Sequence, residues 1–221
     1  MTGRGELAVC GSNLTGDVPF SCALRLDGRL FVAQSPAGQR GDLATLVRTV
    51  CEQAAIAPGD LGAIRLDVGP GSYTGLRVAV TFVRVLQQFG GVAVHAIDSL
   101  ALLAARAAVD RRQEVRALLD ARRDRVHVQS FVVDGASVVA TTDPAAVPLA
   151  SVLTSQPPGG IVVVPANLPP LLAEPLRAAG ASLRPAAGLV AAEMFAEGLP
   201  FTPADAAALE PRYLMASYAE Q

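Results

Sequence analysis

The sequence contains no lysine and no tryptophan, and only two histidines and three cysteines among 221 residues. All 18 basic residues are therefore arginines, which excludes a lysine Schiff base, a lysine nucleophile and the lysine of a phosphate-binding P-loop. His95 and His127 lie in alternating, strand-like stretches without a second histidine one helical turn away, so an H-E-x-x-H zinc site is excluded. No serine lies in a G-x-S-x-G turn, which argues against a Ser-His-Asp triad.

The cysteines and the hydrophobic runs indicate where the protein resides. Cys10, Cys22 and Cys51 are odd in number, form no C-x-x-C pair and have apolar neighbours, which predicts free, buried thiols in a reducing compartment. No apolar run approaches the ~18–20 residues that cross a bilayer, and no apolar segment follows Arg4 as in a secretory signal. We therefore expect a soluble cytoplasmic protein without a membrane partner. The net charge of −2 gives no general electrostatic footprint for nucleic acid.

A pattern of elements occurs twice along the chain. A strand, a turn, a second strand, an Asp-Gly turn and a third strand recur, with the Asp-Gly pairs at Asp27-Gly28 and Asp134-Gly135. This repeat predicts a duplicated α/β protein with two lobes, residues 1–110 and 111–221, each with a sheet and flanking helices. The other predicted strands are Ala63–Val68, Val92–Ile97 and Gly160–Val164, and the predicted helices are Asp42–Ala55, Thr74–Phe89, Ser99–Val109, Ala145–Thr154, Pro169–Ala179 and Ala187–Glu197.

The most distinctive segment is a glycine-rich loop between a predicted strand and a predicted helix. Glycines permit positive φ and close backbone approach, and Ser72 or Thr74 can cap the helix. The spacing is neither that of a P-loop nor that of G-x-G-x-x-G. The segment is either a tight strand-to-helix turn or a site for a ligand or partner. Its candidate residues are Gly69, Pro70, Gly71, Ser72, Tyr73, Thr74, Gly75 and Arg77.

The helix Thr74–Phe89 has more apolar surface than one sheet can cover. Its apolar residues occupy an arc of about 220°, whereas a helix on one sheet needs roughly 100° or somewhat more. Either the preceding helix, Asp42–Ala55, covers the surplus, or the two helices together dock a second protein chain. The candidate interface residues are Leu43, Leu46, Val47, Val50, Val78, Phe82, Val85 and Phe89.

Several motifs resemble the TsaB (YeaZ) family over nearly the whole chain. The loop and helix start, Gly69 to Arg77, is similar to the family signature G-P-G-S-[FY]-T-G-[LV]-R. Three further segments are similar to the family's G-V-S-S-L, I-D-A-R-R and P-x-Y-L-R motifs. These segments are Ala96–Leu100, Leu119–Arg123 and Pro211–Leu214.

The resemblance implies a duplicated actin-like (ASKHA) fold with two lobes. It implies a part in making N6-threonylcarbamoyladenosine at position 37 of tRNA, as a non-catalytic scaffold that binds and activates a TsaD-like paralogue through helices of its N-terminal lobe. A TsaE-like ATPase joins that assembly, and tRNA meets this chain only through the complex. The resemblance implies no catalytic residues, metal or cofactor of its own, with ATP and metal on the partner proteins.

The chain departs from the family pattern at several positions. Cys10 and Gly11 stand where the family commonly has Asp-Thr after its first strand, which removes an acidic group that would face a nucleotide-bound metal. Bulkier helix residues change how closely a partner helix can approach. The other departures are Gln39, Val83, Val85, His127 and Met215.

Alternative functions remain open from the sequence. An independent actin-fold phosphotransferase would need a carboxylate such as Asp67, Asp98 or Asp120. A glycoprotease-like hydrolase is the other enzymatic alternative, and a homodimer through the same helices is compatible with the scaffold. A basic segment is either a solvated face or a minor tRNA contact. Its arginines are Arg111, Arg112, Arg116, Arg122, Arg123 and Arg125.

Overall fold

The chain divides into two compact units, and the division differs from the one predicted. The computed structural model describes residues 4–12, 18–36, 41–186, 190–205 and 208–214. The N-terminal unit comprises Met1–Asp98, Val190–Ala196 and Phe201–Arg212. The C-terminal unit comprises Ser99–Leu189, Glu197–Pro200 and Tyr213–Gln221. The predicted boundary between residues 110 and 111 is therefore displaced, and part of the C-terminal chain belongs to the first unit.

The N-terminal unit is built on a six-stranded mixed sheet. Its strands are β1 (Gly5–Cys10), β2 (Ser21–Leu26), β3 (Arg29–Gln34), β4 (Leu61–Asp67), β5 (Ala93–Ile97) and β12 (Thr202–Ala204). They lie in the order β12-β5-β4-β1-β2-β3. Strand β1 pairs antiparallel with β2 and parallel with β4, and β4 pairs parallel with β5. The Asp27-Gly28 turn joins β2 to β3 as predicted, with φ of 48° and 76°.

Two helices cover one face of this sheet, and both have capped ends. In α1 (Leu43–Ala54), the side chain of Asp42 accepts a hydrogen bond from the Ala44 backbone N–H at 3.0 Å. In α2 (Tyr73–Gly90), Ser72 is the capping residue, and Gly91 ends the helix in the left-handed conformation at φ 62°. Both helices therefore begin and end within two residues of the predicted positions.

The C-terminal unit repeats this strand arrangement. Its strands are β6 (Gln113–Arg122), β7 (Arg125–Asp134), β8 (Ser137–Ala140), β9 (Ala145–Pro148), β10 (Ile161–Pro165) and β11 (Ser182–Ala186). The sheet order is β11-β10-β6-β7-β8, with β9 paired to β7. In both units the first strand, β1 or β6, is antiparallel to the second, β2 or β7, and parallel to a later one, β4 or β10. The helices of this unit are α3 (Ser99–Ala104), α4 (Leu149–Thr154) and α5 (Pro170–Ala178). The duplicated α/β fold with two mixed sheets is therefore confirmed.

Three of the predicted helices are corrected, and two strands are added. The predicted helix Ala145–Thr154 is a strand followed by a short helix, because the proline at residue 148 separates β9 from α4. The predicted helix Ala187–Glu197 is a short 3-10 helix, Ala191–Phe195, within its described part. The helix predicted over Ser99–Val109 becomes 3-10 after Ala104, and strands β11 and β12 were not predicted. Within the described ranges, no helix is both long and apolar enough to span a membrane.

Candidate functional site

The glycines of the loop are used for close packing within the chain. A Cβ atom on Gly75 would lie 2.1 Å from the Gly11 carbonyl oxygen, and one on Gly71 would lie 2.5 Å from the Ser12 carbonyl oxygen. The Ser72 N–H donates to that same Ser12 oxygen at 2.7 Å. The motif therefore holds the first turn of α2 directly against the chain leaving β1. The reading of the segment as a tight strand-to-helix turn accounts for both of these glycines.

A buried thiol and carboxylate lie beneath this loop. Cys10 and Asp67 end the neighbouring parallel strands β1 and β4, and the Cys10 Sγ–H donates to Asp67 Oδ2 at 3.3 Å. The other carboxylate oxygen accepts the Gly69 backbone N–H at 3.0 Å. Burial, together with the neighbouring Asp67 charge, raises the pKa of the Cys10 thiol, which remains protonated as a donor. The pair is thus a structural support of the loop.

The C-terminal P-R-Y-L motif reaches the other side of the loop. The Arg212 backbone N–H donates to the Val68 carbonyl oxygen at 2.7 Å, and its Nη1 donates to Asp98 Oδ2 at 2.8 Å. Asp98 is part of the Ala96–Leu100 segment, so three motifs that are distant in sequence meet at one place in the N-terminal unit. Sequence reasoning missed this convergence, although the charges of Asp98 and Arg212 within family-like motifs were an available signal.

An apolar stripe on α2 is exposed. Val78 is 41% exposed, Val85 48% and Phe89 82%, and the helical period places them on one face. Phe82 lies beside them, half-buried against the core. The opposite face of α2 packs into the core through Leu76, Ala79, Val80 and Val83. Part of the apolar arc of α2 is thus exposed to water. The interpretation of this helix as a docking surface for a second chain requires such exposure.

The residues of α1 have a different role from the predicted interface. Leu43, Val47 and Val50 are buried in the core of the N-terminal unit, where α1 packs on β2 and β3. Leu46 is half-buried against the same core. The first three side chains therefore offer no surface to a partner, and that part of the predicted interface is wrong. The apolar stripe of α1 faces its own sheet.

The exposed side of the loop presents an aromatic and a cationic side chain together. Tyr73 is 44% exposed, and its hydroxyl accepts a hydrogen bond from Arg77 Nη1 at 3.0 Å. The Arg77 guanidinium lies 5.4 Å from the centre of the Tyr73 ring. Thr74 is also exposed beside them. These three side chains are exposed at the N-terminal end of α2.

Each of the three candidate carboxylates is hydrogen-bonded or ion-paired within the chain. Both oxygens of the fully buried Asp67 are engaged, and Asp98 is paired with Arg212. Asp120 is exposed in the other unit and accepts the Arg122 backbone N–H at 2.6 Å. In the described part of the chain, no three His, Cys, Asp or Glu side chains are grouped to hold a metal ion. Gly11 and Ser12 fill the space next to Gly75 and Gly71.

The D-A-R-R motif forms a hairpin with unusual backbone conformations. Arg122, Arg123 and Asp124 all have positive φ, at 64°, 51° and 57°. Arg122 pairs with Arg125 across the turn, and a bulge lies between Asp120 and Arg122. A non-glycine residue in the left-handed region costs roughly 1 kcal/mol, so three in succession are a local strain. The predicted turn at 120–124 is in fact the end of β6 followed by a two-residue turn.

Three of the five other departures from the family pattern lie in the described part of the chain. His127 lies on β7, where burial lowers its pKa to about 4, opposed by the nearby charge of Asp120. Val83 is buried in the core, so among the bulky helix residues only Val85 remains at the surface. Gln39 and Met215 lie outside the described residues.

Comparisons with known proteins agree on one family. The family model for TsaD, tRNA N6-adenosine threonylcarbamoyltransferase, matches residues 40–193, more than half of the chain. A stretch of 83 residues is 35% identical to the tRNA threonylcarbamoyladenosine biosynthesis protein TsaB of Bacillus subtilis, covering 37% of this chain and 35% of that protein. The matched region thus spans about a third of the length of this curated relative.

Two solved structures are similar to the fold. YeaZ from Pseudomonas aeruginosa matches with a TM-score of 0.60 and 27% identity, covering 72% of this chain and 74% of that chain. A protein described as similar to peptidase YeaZ from Pseudomonas aeruginosa matches with a TM-score of 0.70, covering 96% of this chain and 99% of that chain. At 24% identity the second structure supports the two-lobed actin-like fold alone.

Proposed function

This chain belongs to the TsaD family as a TsaB- and YeaZ-like member, and from that premise we propose that it is a non-catalytic subunit in N6-threonylcarbamoyladenosine modification of tRNA. In this role it binds and activates a TsaD-type catalytic partner in the cytoplasm. The transfer chemistry, the metal and ATP belong to partner proteins, which include a TsaE-like ATPase. Transfer RNA meets the chain within that complex.

The exposed face of α2 is the observation that carries this proposal. Val78, Val85 and Phe89 form an exposed apolar stripe along about three helical turns, with the half-buried Phe82 beside it. Full burial of each such side chain contributes roughly 1.5–3 kcal/mol, so a partner that covers the stripe gains substantial affinity. The most exposed of these side chains, Phe89, is aromatic, and aromatic residues are typical anchors of protein interfaces.

The state of the candidate carboxylates supports a non-catalytic role. A phosphotransferase needs a carboxylate free to bind metal or to accept a proton, whereas Asp67 is buried with both oxygens engaged. No observation on the described residues favours the phosphotransferase or the glycoprotease-like hydrolase. In the absence of its partner, the chain is expected to cover the α2 stripe with a second copy, which makes the homodimer an alternative state of the same surface.

Charge reversal of the stripe tests the proposal. Phe89→Glu places a charge on the most exposed side chain of the stripe, and Leu171→Glu is its matched control, because Leu171 on α5 is equally exposed at 82%. We expect Phe89→Glu to abolish co-purification with the TsaD-type protein of the same organism, whereas Leu171→Glu retains it. Both variants should unfold within about 0.5 kcal/mol of the wild type, because the side chains are exposed.

A genetic measurement completes the test. Deletion of the gene should remove N6-threonylcarbamoyladenosine from tRNA, measured by mass spectrometry of nucleosides. Complementation by Leu171→Glu should restore it, and complementation by Phe89→Glu should not. Normal modification in the deletion strain, or equal partner binding by both variants, would refute the scaffold role.

A further inference from the structure

Two hairpins of this chain have the same turn but different residues in it. In the hairpin between β2 and β3, the two turn positions with positive φ are Asp27 and Gly28, the pair that this turn favours. In the hairpin between β6 and β7, the same two positions are Arg123 and Asp124, and Arg122 before them also has positive φ. No glycine relieves this second turn. Its strain therefore points to a role for the side chains themselves.

The exposed side chains at this tip are charged, two arginines beside two acids. Arg122 and Arg123 are exposed, whereas Arg125 directs its guanidinium back to the Ala146 carbonyl oxygen. Asp120 turns one carboxylate oxygen to the Arg122 backbone N–H, which fixes the bulge beneath the two arginines. Asp124 is the other exposed acid of the tip. The chain thus holds two consecutive exposed arginines at the end of a two-stranded ladder.

We propose that Arg122 and Arg123 contact phosphate groups of the RNA backbone, so that the β6–β7 hairpin is the point where this chain touches tRNA within its complex. This inference rests on the proposed function, which supplies the RNA. A planar guanidinium matches phosphate oxygens in a bidentate manner, and such contacts position nucleic acid without reading its sequence. Two side chains define a point contact, consistent with the nearly neutral charge of the whole chain.

The test compares charge removal with strain relief. Arg122→Ala/Arg123→Ala removes both guanidinium groups, and Asp124→Gly keeps them while supplying the residue that the turn favours. Binding of fluorescently labelled tRNA is measured by anisotropy at several salt concentrations, with the full chain alone and with its co-purified TsaD-type partner. We expect the double variant to bind about three- to tenfold more weakly, with a salt slope smaller by about 1–2.

The control separates RNA contact from a structural role. Asp124→Gly should raise the melting temperature by about 2–4 °C and bind tRNA at least as tightly as the wild type. Weaker binding by Asp124→Gly would mean that the turn conformation, not the guanidinium groups, matters. Millimolar Mg-ATP should not displace tRNA beyond its effect on ionic strength. Displacement would assign the arginines to a nucleotide instead.

The RNA contact and the scaffold role can be refuted independently of each other. Equal affinity and salt slope for wild type and Arg122→Ala/Arg123→Ala, or no tRNA binding by any of these proteins at low salt, would overturn the RNA contact. Partner binding through Phe89 would then still stand. Loss of the partner interaction with hairpin-dependent tRNA binding retained would instead refute the scaffold role alone.

Discussion

The effect of replacing Cys10 follows from its hydrogen-bond partner, Asp67. The sequence shows only that an acidic position of the family pattern is a cysteine here. The structure places its thiol against the buried Asp67 carboxylate, 57 positions away in sequence. That contact depends on the parallel register of β1 and β4, which no local pattern specifies. The pairing could therefore not be predicted from either residue alone.

Restoring an aspartate at this position should destabilise the protein. Cys10→Asp replaces a hydrogen-bond donor with a second buried carboxylate, and we expect a loss of about 3 kcal/mol or more in unfolding free energy at pH 7. Cys10→Ser is the control, since its hydroxyl can still donate to Asp67, and it should cost about 1 kcal/mol. Urea titrations followed by circular dichroism measure both variants.

The pH dependence of the aspartate variant gives its distinguishing signature. Two carboxyl groups at one site share a proton, which raises one pKa in the folded state above its unfolded value. The folded state then binds more protons than the unfolded state near neutral pH, so its stability should rise as the pH falls from 7 toward about 5. An equal loss for Cys10→Ser and Cys10→Asp, independent of pH, would contradict the direct contact with Asp67.

At the scale of the elements, helix α2 shows what periodicity can and cannot predict. The apolar spacing, the serine before it and the glycines after it located the helix within one or two residues. The same spacing on α1 was assigned in part to a partner, although Leu43, Val47 and Val50 face the sheet. An apolar stripe has the same sequence signature whether a sheet or another protein covers it, and so the covering surface must come from the structure.

The glycine at the start of α2 sets two effects against each other. Gly→Ala within a helix ordinarily stabilises by roughly 0.5–1 kcal/mol through chain entropy. At Gly75 the added Cβ would lie 2.1 Å from the Gly11 carbonyl oxygen, a backbone atom that cannot move aside alone. We expect the clash to dominate, with Gly75→Ala losing about 2–3 kcal/mol of unfolding free energy.

The other end of the same helix offers the matched control. A Cβ on Gly90 would have its nearest neighbour at 3.7 Å, an ordinary contact with Val92. Gly90→Ala should therefore be neutral or slightly stabilising when both glycine variants are compared with the wild type by urea titration. If Gly75→Ala proved as stable as Gly90→Ala, the close packing of the motif loop on the chain after β1 would be disproved.

At the scale of the whole molecule, the duplication could be predicted from the sequence. The contribution of the C-terminal part of the chain to the N-terminal unit could not. The repeated hairpin pattern predicted two α/β units, and both sheets have the same strand arrangement. The chain nevertheless returns after residue 189 to complete the first unit, with β12 at the edge of its sheet. A three-residue strand and a short 3-10 helix have no strong periodicity, so this segment carried no signal of its destination.

The return segment consists of Val190–Ala196 and Phe201–Arg212. A cluster of charged and aromatic side chains binds it to the rest of the N-terminal unit. Arg65 on β4 donates through Nε to Glu6 at 2.6 Å and through Nη1 to the Met194 carbonyl oxygen at 2.6 Å. Its guanidinium lies 5.1 Å from the Phe195 ring centre and 4.9 Å from that of Phe201. Although burial acts to raise it, the pKa of Glu6 is lowered by its hydrogen bonds to Arg65 and Arg25. The hydrogen bond to Met194 and the two ring contacts require the returning chain, whereas the ion pairs of Glu6 lie within the first 110 residues.

Separate expression of the predicted lobes should consequently fail to give a stable N-terminal unit. Fragment 1–110 lacks β12, the two phenylalanines and Leu209, which is buried in the core of that unit. We expect it to melt at least 10 °C below the intact chain, and a synthetic peptide of residues 190–212 to raise that melting temperature in a concentration-dependent way. The same peptide with Phe195→Ala and Phe201→Ala should bind at least tenfold more weakly, because the arginine then loses both aromatic faces. The fragment could instead unfold cooperatively at the temperature of the intact chain, with neither peptide changing that temperature. Such a result would mean that the division at residue 110 is adequate and that the first unit does not need the return segment.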